Sequence, residues 1–273
     1  MGSQAVPTHN RTARFFVLVF VWTWGLQLPA VWAQFALPQE IAQGLLPLAM
    51  LGIFGPGVVA FWLTRRELGP AAARRLLGDL RRGRASWMVY LVGAVLPVVL
   101  LSAGLLALRP FGYAQALTFV PPVERLLVGL VISAVEELGW RGYALPRLQS
   151  RYGALPASGI LAVFWTLWHI PMFLGQGFDM SLMPVIFLEL LGGSIVFTWV
   201  YNCAQGQLLP LVLAHFAVHL NNPHLALPTN TVPLLVHSVI MAALGLVLVR
   251  LDKRVFPEAQ LKRRTHSAVR PVS

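Results

Sequence analysis

Charge is scarce in this chain. Asp, Glu, Lys and Arg make up 11% of its 273 residues, against about 25% in an average soluble domain. Hydrophobic residues reach 57%, and the mean hydropathy is +0.68. A water-soluble core cannot absorb that much apolar surface, which excludes an ordinary soluble enzyme. Cysteine is scarcer still. The single Cys203 excludes an internal disulfide and a zinc site built from cysteines. Acidic residues are few as well, 10 against 21 Lys and Arg, leaving a formal charge of +11. In a soluble protein that excess would suggest nucleic acid. Here the basic residues collect in loops and tails, and no arginine-rich face alternates with aromatics, so nucleic acid is not an expected partner. Internal repeats are lacking too, which weakens a transporter built from two halves.

What the sequence does contain is apolar runs near the length needed to cross a bilayer, about 20 residues. Windows bounded by charge or by Pro and Gly give eight spans: near Phe15 to Ala33, Leu45 to Thr64, Trp87 to Leu108, Pro122 to Arg141, Leu155 to Leu174, Leu182 to Tyr201, Leu208 to Leu220 and Val232 to Val249. The first has no clear small-residue cleavage site and reads as a retained span. The expected fold class is all-α: a polytopic membrane protein, a bundle of about eight transmembrane helices around a buried polar cavity. One membrane-embedded domain covers 1–273. Within it, 1–14 reads as a cytoplasmic tail, 122–222 as the motif-bearing catalytic core and 251–273 as a basic cytoplasmic tail. Span four carries Glu124, Arg125, Glu136 and Glu137. Span seven reaches only about 20 Å at 1.5 Å per residue. Both are expected to be shielded by other helices.

Positive charge marks cytoplasmic loops. Arg11 and Arg14 precede span one; Arg65, Arg66, Arg74, Arg75, Arg81, Arg82 and Arg84 follow span two; Arg147 and Arg151 follow span four; Arg250, Lys253, Arg254, Lys262, Arg263 and Arg264 follow span eight. The opposite loops carry little positive charge. The pattern places a multi-pass protein in the cell membrane with both termini cytoplasmic. Leucines between the arginines of 65–84 suggest a helix along anionic headgroups, although a plain topology signal accounts for the same residues.

Ionisable groups in the hydrocarbon region cost ~2.5–3.5 kcal/mol each on insertion scales, so they need a compensating role. Three places draw attention. In Glu136-Glu137-Leu138-Gly139-Trp140-Arg141, Glu137 and Arg141 are four apart on one helical face, in the favourable order for an ion pair. Glu136 points about 100° away. One carboxylate is thus held by arginine while the other is left to act on water. An anchoring role for Arg141 would explain one acid, not two. The second place is Trp165 to Pro171, where His169 lies deep in span five; a lone histidine there is more often a structural donor than a ligand. If the span starts at Leu155, His169 lies about 21 Å along it, nearer the outer face than a shared site would favour.

The third place is His215-Phe216-Ala217-Val218-His219, followed by Asn221 and Asn222. Histidines at i and i+4 share a helical face, the spacing that lets both reach one metal ion. The other arrangement has His215 alone as ligand, His219 as a donor beside it and Asn222 at the outer mouth. His9, His224, His237 and His266 have no such partners in sequence and read as structural. Together the three places suit hydrolysis: imidazoles holding Zn²⁺, a glutamate taking a proton from the bound water and a donor for the oxyanion.

These residues resemble the CPBP intramembrane peptidases, also called the CAAX-protease and bacteriocin-processing or Abi family. The family's Glu-Glu-x-x-x-Arg motif matches Glu136, Glu137 and Arg141 without change. Its second motif, an aromatic followed four residues later by His, is similar to Trp165 and His169, where phenylalanine is the more usual aromatic. Its third, His-x-x-x-Asn, is similar to His215 and His219, with histidine standing where asparagine is expected. The resemblance implies an eight-helix fold with a water-filled cavity open to the cytoplasmic side and into the membrane. It also implies proteolysis of membrane-associated peptides, with Glu136, Glu137, Arg141, His169, His215 and His219 as catalytic residues. Zn²⁺ on His169 and His215 is the expected cofactor, a glutamate acting on water without metal being the other route. The expected partners are a membrane-associated peptide or protein substrate and the lipid bilayer. Two other readings stand beside this one: a non-catalytic membrane scaffold or immunity protein retaining the fold, and a proton-relaying transporter.

Overall fold

The computed structural model describes residues 8–113, 123–220 and 231–257, and among them every regular element is a helix. The protein is a polytopic all-α membrane protein. Helix α1, Thr8–Ala36, holds span one and starts inside the stretch expected to be a tail. Span two is broken: after the short α2, Gln39–Gly44, come α3, Leu46–Gly52, and α4, Gly55–Leu68, bent by 44° at the break. In lipid, carbonyls freed by such a break must find donors, and α1 supplies them. Thr23 Oγ1 donates to the Gly52 carbonyl at 2.8 Å, and Trp22 Nε1 to the Leu51 carbonyl at 3.1 Å. A Cβ at Gly55 would lie 2.5 Å from Thr23 Oγ1, so the close approach needs glycine.

The basic loop contains α5, Pro70–Asp79, with Ala72, Ala73 and Leu76 turned inward and Arg74 and Arg75 exposed. Span three is α6, Trp87–Tyr90, a π turn over Leu91–Val95 and α7, Leu96–Ala107. Span four is α8, Val123–Gly139, which runs through a π turn, Trp140–Ala144, into α9, Leu145–Tyr152. Span five is α10, Ala154–Trp168, and α11, Ile170–Gly175; span six is α12, Met183–Cys203. Span seven is α13, Leu209–His219, and span eight is α14, Thr231–Leu251.

Five of these segments are long and apolar enough to cross a membrane on their own, and the bent pair α2–α4 makes a sixth. The remaining two, α8 and α13, are the segments that bear Glu136, Glu137 and His215. The expectation that others shield them holds for α13, which buries Leu211, Val212, Ala214 and His215. It holds for α8 only over its second half. Leu127, Val128 and Val131 are exposed, whereas Glu136 through Trp140 are buried. Exposed Val17, Val21, Val99, Val239 and Leu246 on other helices suit an apolar solvent, not water.

Close helix contacts fix the interior. A Cβ at Gly192 of α12 would collide with the Met241 backbone of α14, and one at Gly57 of α4 would lie 2.9 Å from the Val135 carbonyl oxygen of α8. Small residues let the backbones approach this far, the device that serves helix packing where lipid removes the hydrophobic drive.

Candidate active site

Residues 136–141 straddle the change from α-helix to π turn, a break found often at functional sites. The four-residue spacing still brings the ion pair together: Arg141 Nη1 donates to Glu137 Oε1 at 2.9 Å. The same oxygen lies 2.8 Å from His215 Nδ1, so one carboxylate ties α8, the π turn and α13. Glu137, Arg141 and His215 are all at most 2% exposed. The guanidinium also lies over the rings of Trp165, 4.6 Å from its centroid, and Phe197, at 5.0 Å, which spreads its charge over aromatic faces.

Glu136 has a different partner. Its Oε2 accepts from Trp165 Nε1 at 2.8 Å. Trp165 is the hub of the site, its ring also packing against His169 at 5.8 Å and edge-on to His215 at 5.4 Å. His169 sits at the joint between α10 and α11, within the continuous span Ala154–Gly175, and shares a cavity with His215 and His219 despite the depth expected for it. Its Nδ1 lies 2.7 Å from the Trp165 carbonyl oxygen, which can only accept, so Nδ1 carries the proton. In the neutral ring Nε2 then keeps its lone pair. His215 is held by Nδ1 in the same way, against an acceptor carboxylate.

The rings of His215 and His219 stack at 4.7 Å. His169, His215 and His219 line one small cavity of about 40 Å³ together with Trp165, Phe197 and Glu189, room for a few water molecules. Neither Glu136 nor Glu137 is among its walls; Trp165 links the cavity to Glu136. The structure thus brings the six sequence-selected residues into one cluster drawn from α8, the π turn, the α10–α11 joint and α13. Asn221, Asn222, His224 and His266 lie outside the described residues, as does the His9 side chain.

Two site residues escaped the sequence reading. Glu189 of α12 is 4% exposed, lines the cavity and stands 3.2 Å through Oε1 from Nδ1 of His237 on α14, itself 1% exposed. His237 thus has a carboxylate neighbour on another helix, one that no local spacing shows. Glu189 did carry a signal: it is the lone acid within the apolar run Leu182 to Tyr201. The indole N–H of Trp165 is the other contribution that the motif alone does not announce.

As for a metal, two imidazoles with Nδ1 engaged and Nε2 carrying a lone pair suit ligation. Among the described residues, however, no three His, Cys, Asp or Glu side chains come together to hold an ion, whereas catalytic zinc sites usually offer three protein ligands. His169 and His215 would supply two of the three protein ligands that such a site usually has.

Residues 118–221 match a family model described as "Type II CAAX prenyl endopeptidase Rce1-like". Over 266 residues the chain is 26% identical to a protein named CAAX prenyl protease 2 from Methanococcus maripaludis, an alignment covering 89% of this chain and 95% of that one. The matched segment holds Glu136, Glu137, Arg141, His169, Glu189, His215 and His219; His237 falls beyond it.

Proposed function

We propose that this chain, which matches the Rce1-like family model over residues 118–221 and is 26% identical to CAAX prenyl protease 2, is a CPBP-family intramembrane peptidase that hydrolyses peptide bonds of membrane-associated peptides or proteins with Glu136 as the residue that activates water. The observation that carries this reading is the unequal treatment of two adjacent buried carboxylates. Glu137 is committed to Arg141 and His215, whereas Glu136 accepts a single N–H, from Trp165. Glu136 therefore keeps lone pairs with which to take a proton. In the proposed step it removes a proton from a water molecule as the water oxygen attacks the scissile carbonyl, then returns that proton to the departing amine. His219, in the place that the family gives to asparagine, is the donor we assign to the oxyanion, and the buried Arg141 charge favours the negative charge that develops.

A second reading gives His169 and His215 a Zn²⁺ ion, which would polarise the attacking water. Support comes from their Nδ1 atoms both being engaged, at 2.7 and 2.8 Å. Dialysis against a chelator separates the two routes: the metal reading requires loss of cleavage and its return with Zn²⁺.

The relative's name makes a prenylated CAAX peptide the first substrate to test, beside the same peptide without its lipid. In lipid nanodiscs, Glu136→Gln should slow cleavage by ~10²–10⁴-fold while thermal unfolding stays near that of the parent. Unchanged cleavage in Glu136→Gln would overturn the proposal, and no cleavage by the parent would favour the scaffold reading. We also propose both termini on the cytoplasmic side, so reporter fusions after Gln43 and Gly177 should read the outer face.

A further inference from the structure

Proline takes one hydrogen bond out of span two. In a continuous helix the Gly52 carbonyl would accept from the N–H of residue 56, and residue 56 is proline, which has none. A carbonyl left over inside a membrane needs another donor. Thr23 of α1, fully buried, supplies it: its Oγ1 donates to the Gly52 carbonyl at 2.8 Å. The same oxygen accepts a second bond, from Nε1 of Trp168 at 2.8 Å. Both directions are fixed, since an indole N–H only donates and a carbonyl only accepts. One hydroxyl therefore joins α1, the break in span two and the end of α10.

The bond to Trp168 has no part in mending the break. Gly52 needs only the O–H, and the neighbouring Leu51 carbonyl is served by Trp22 Nε1 at 3.1 Å and the Phe54 N–H at 3.2 Å, with no tie to α10. What that bond does is fix an indole that touches the candidate active site twice. The Trp168 ring lies edge-on to His169, with centroids 4.7 Å apart, and edge-on to Trp140 of the π turn, at 5.9 Å. Trp168 is 4% exposed, and a ring packed this closely cannot turn without moving its neighbours.

We propose that Thr23 is a positioning residue, whose hydroxyl sets the Trp168 indole and, through it, the ring of His169. Thr23 lies outside the segment that matches the family model, residues 118–221. The consequence for catalysis rests on the peptidase reading; the hold on His169 does not.

The test uses the full chain in lipid nanodiscs, with a dye-labelled prenylated CAAX peptide for cleavage and isotope-labelled histidine for NMR. The His169 signal is assigned with His169→Gln. Thr23→Val, close to threonine in shape, strands both the Gly52 carbonyl and the Trp168 N–H. It should lower kcat by about tenfold or more with KM within about twofold, and should shift the His169 signal, which senses the edge-on indole. Thr23→Ser, which keeps the hydroxyl, should restore both. Trp22→Phe takes away the other bond from α1 and should change neither. On a Trp168→Phe background, Thr23→Val should still lower the unfolding temperature, because Gly52 is still stranded, yet cost kcat no more than about twofold. Should Thr23→Val fail to fold, Thr23→Cys, a weak donor and weak acceptor, must show the same two changes in smaller degree.

A His169 signal unmoved in Thr23→Val overturns the inference and leaves the peptidase reading standing. So does an equal loss of kcat in Trp22→Phe, or an undiminished loss on the Trp168→Phe background. A parent that cleaves no peptide removes the peptidase reading instead, and the His169 signal still decides whether Thr23 holds the ring.

Discussion

Trp165 Nε1 donates to Glu136 Oε2 at 2.8 Å, so the indole that lines the cavity is also the hydrogen-bond partner of the proposed base. Trp165→Phe keeps an aromatic ring beneath Arg141, whose guanidinium now lies 4.6 Å from the indole centroid, and removes the N–H together with part of the indole's volume. It leaves a buried carboxylate oxygen without that donor, which typically costs about 1–3 kcal/mol. The expected result is a lower unfolding temperature and a kcat reduced by roughly tenfold with KM nearly constant, since the lost bond positions the base and does not touch the substrate. Steady-state kinetics beside a thermal melt checks it; a variant indistinguishable from the parent in both would deny Trp165 this role.

Glu137→Gln should behave differently from Glu136→Gln. Glu137 is fully buried and its Oε1 serves both Arg141 and His215, so loss of its charge strands a buried guanidinium. Breaking a buried pair in this way costs about 3–5 kcal/mol, and the variant should unfold early as well as lose activity. The reverse pattern, early unfolding in Glu136→Gln beside a stable but inactive Glu137→Gln, would exchange the two roles.

Much of this arrangement is legible in the sequence, and the reason is the bilayer. Lipid makes each buried charge conspicuous, so Glu136, Glu137 and Arg141 stand out in a run that is otherwise apolar, and a spacing of four predicts the Glu137–Arg141 bond that the structure shows at 2.9 Å. Helix positions are legible for the same cause. The joint at His169 is not, since Pro171 alone does not say at which residue α10 gives way to α11. Nor is the sharing of Glu137 with His215, 78 positions away, or the pairing of Glu189 with His237, because periodicity reports a residue's own helix and not the helix opposite. Glu189 itself was readable by the rule that exposed the other acids.

Just past the C-terminal end of α14, Asp252 offers a test of pH dependence. Hydrogen bonds from Arg254 hold its carboxyl below the usual carboxylate value, with a further bond from Trp199 Nε1 at 3.1 Å. Because the folded value is the depressed one, the stabilisation is fully present above the ordinary carboxylate value, about 4, and is lost as pH falls through the folded value. The difference in unfolding temperature between the parent and Asp252→Asn should therefore be constant near neutrality and shrink on acidification. A difference that grew as the pH fell would contradict the assignment.

Gly139 lies between Glu137 and Arg141 and presses against the start of α4. A Cβ there would sit 2.6 Å from both the carbonyl carbon and the oxygen of Pro56, atoms of backbone that cannot rotate aside. Gly139→Ala must therefore drive the end of α8 away from α4, an overpacking that typically costs about 1–3 kcal/mol. The displacement falls where one carboxylate joins Arg141 to His215, so activity should drop further than stability alone explains. Gly129, ten residues earlier on the same helix, is the control. A Cβ at that position would meet only the Phe216 ring, at 3.5 Å, an ordinary contact. There the same substitution should be neutral or stabilising, because alanine exceeds glycine in helix preference by about 1 kcal/mol. Melting curves and cleavage rates of the two variants, measured side by side, decide the matter: Gly139→Ala must lose both stability and rate while Gly129→Ala loses neither. Equal effects at the two positions would mean that the α4–α8 contact does not set the geometry of the glutamates.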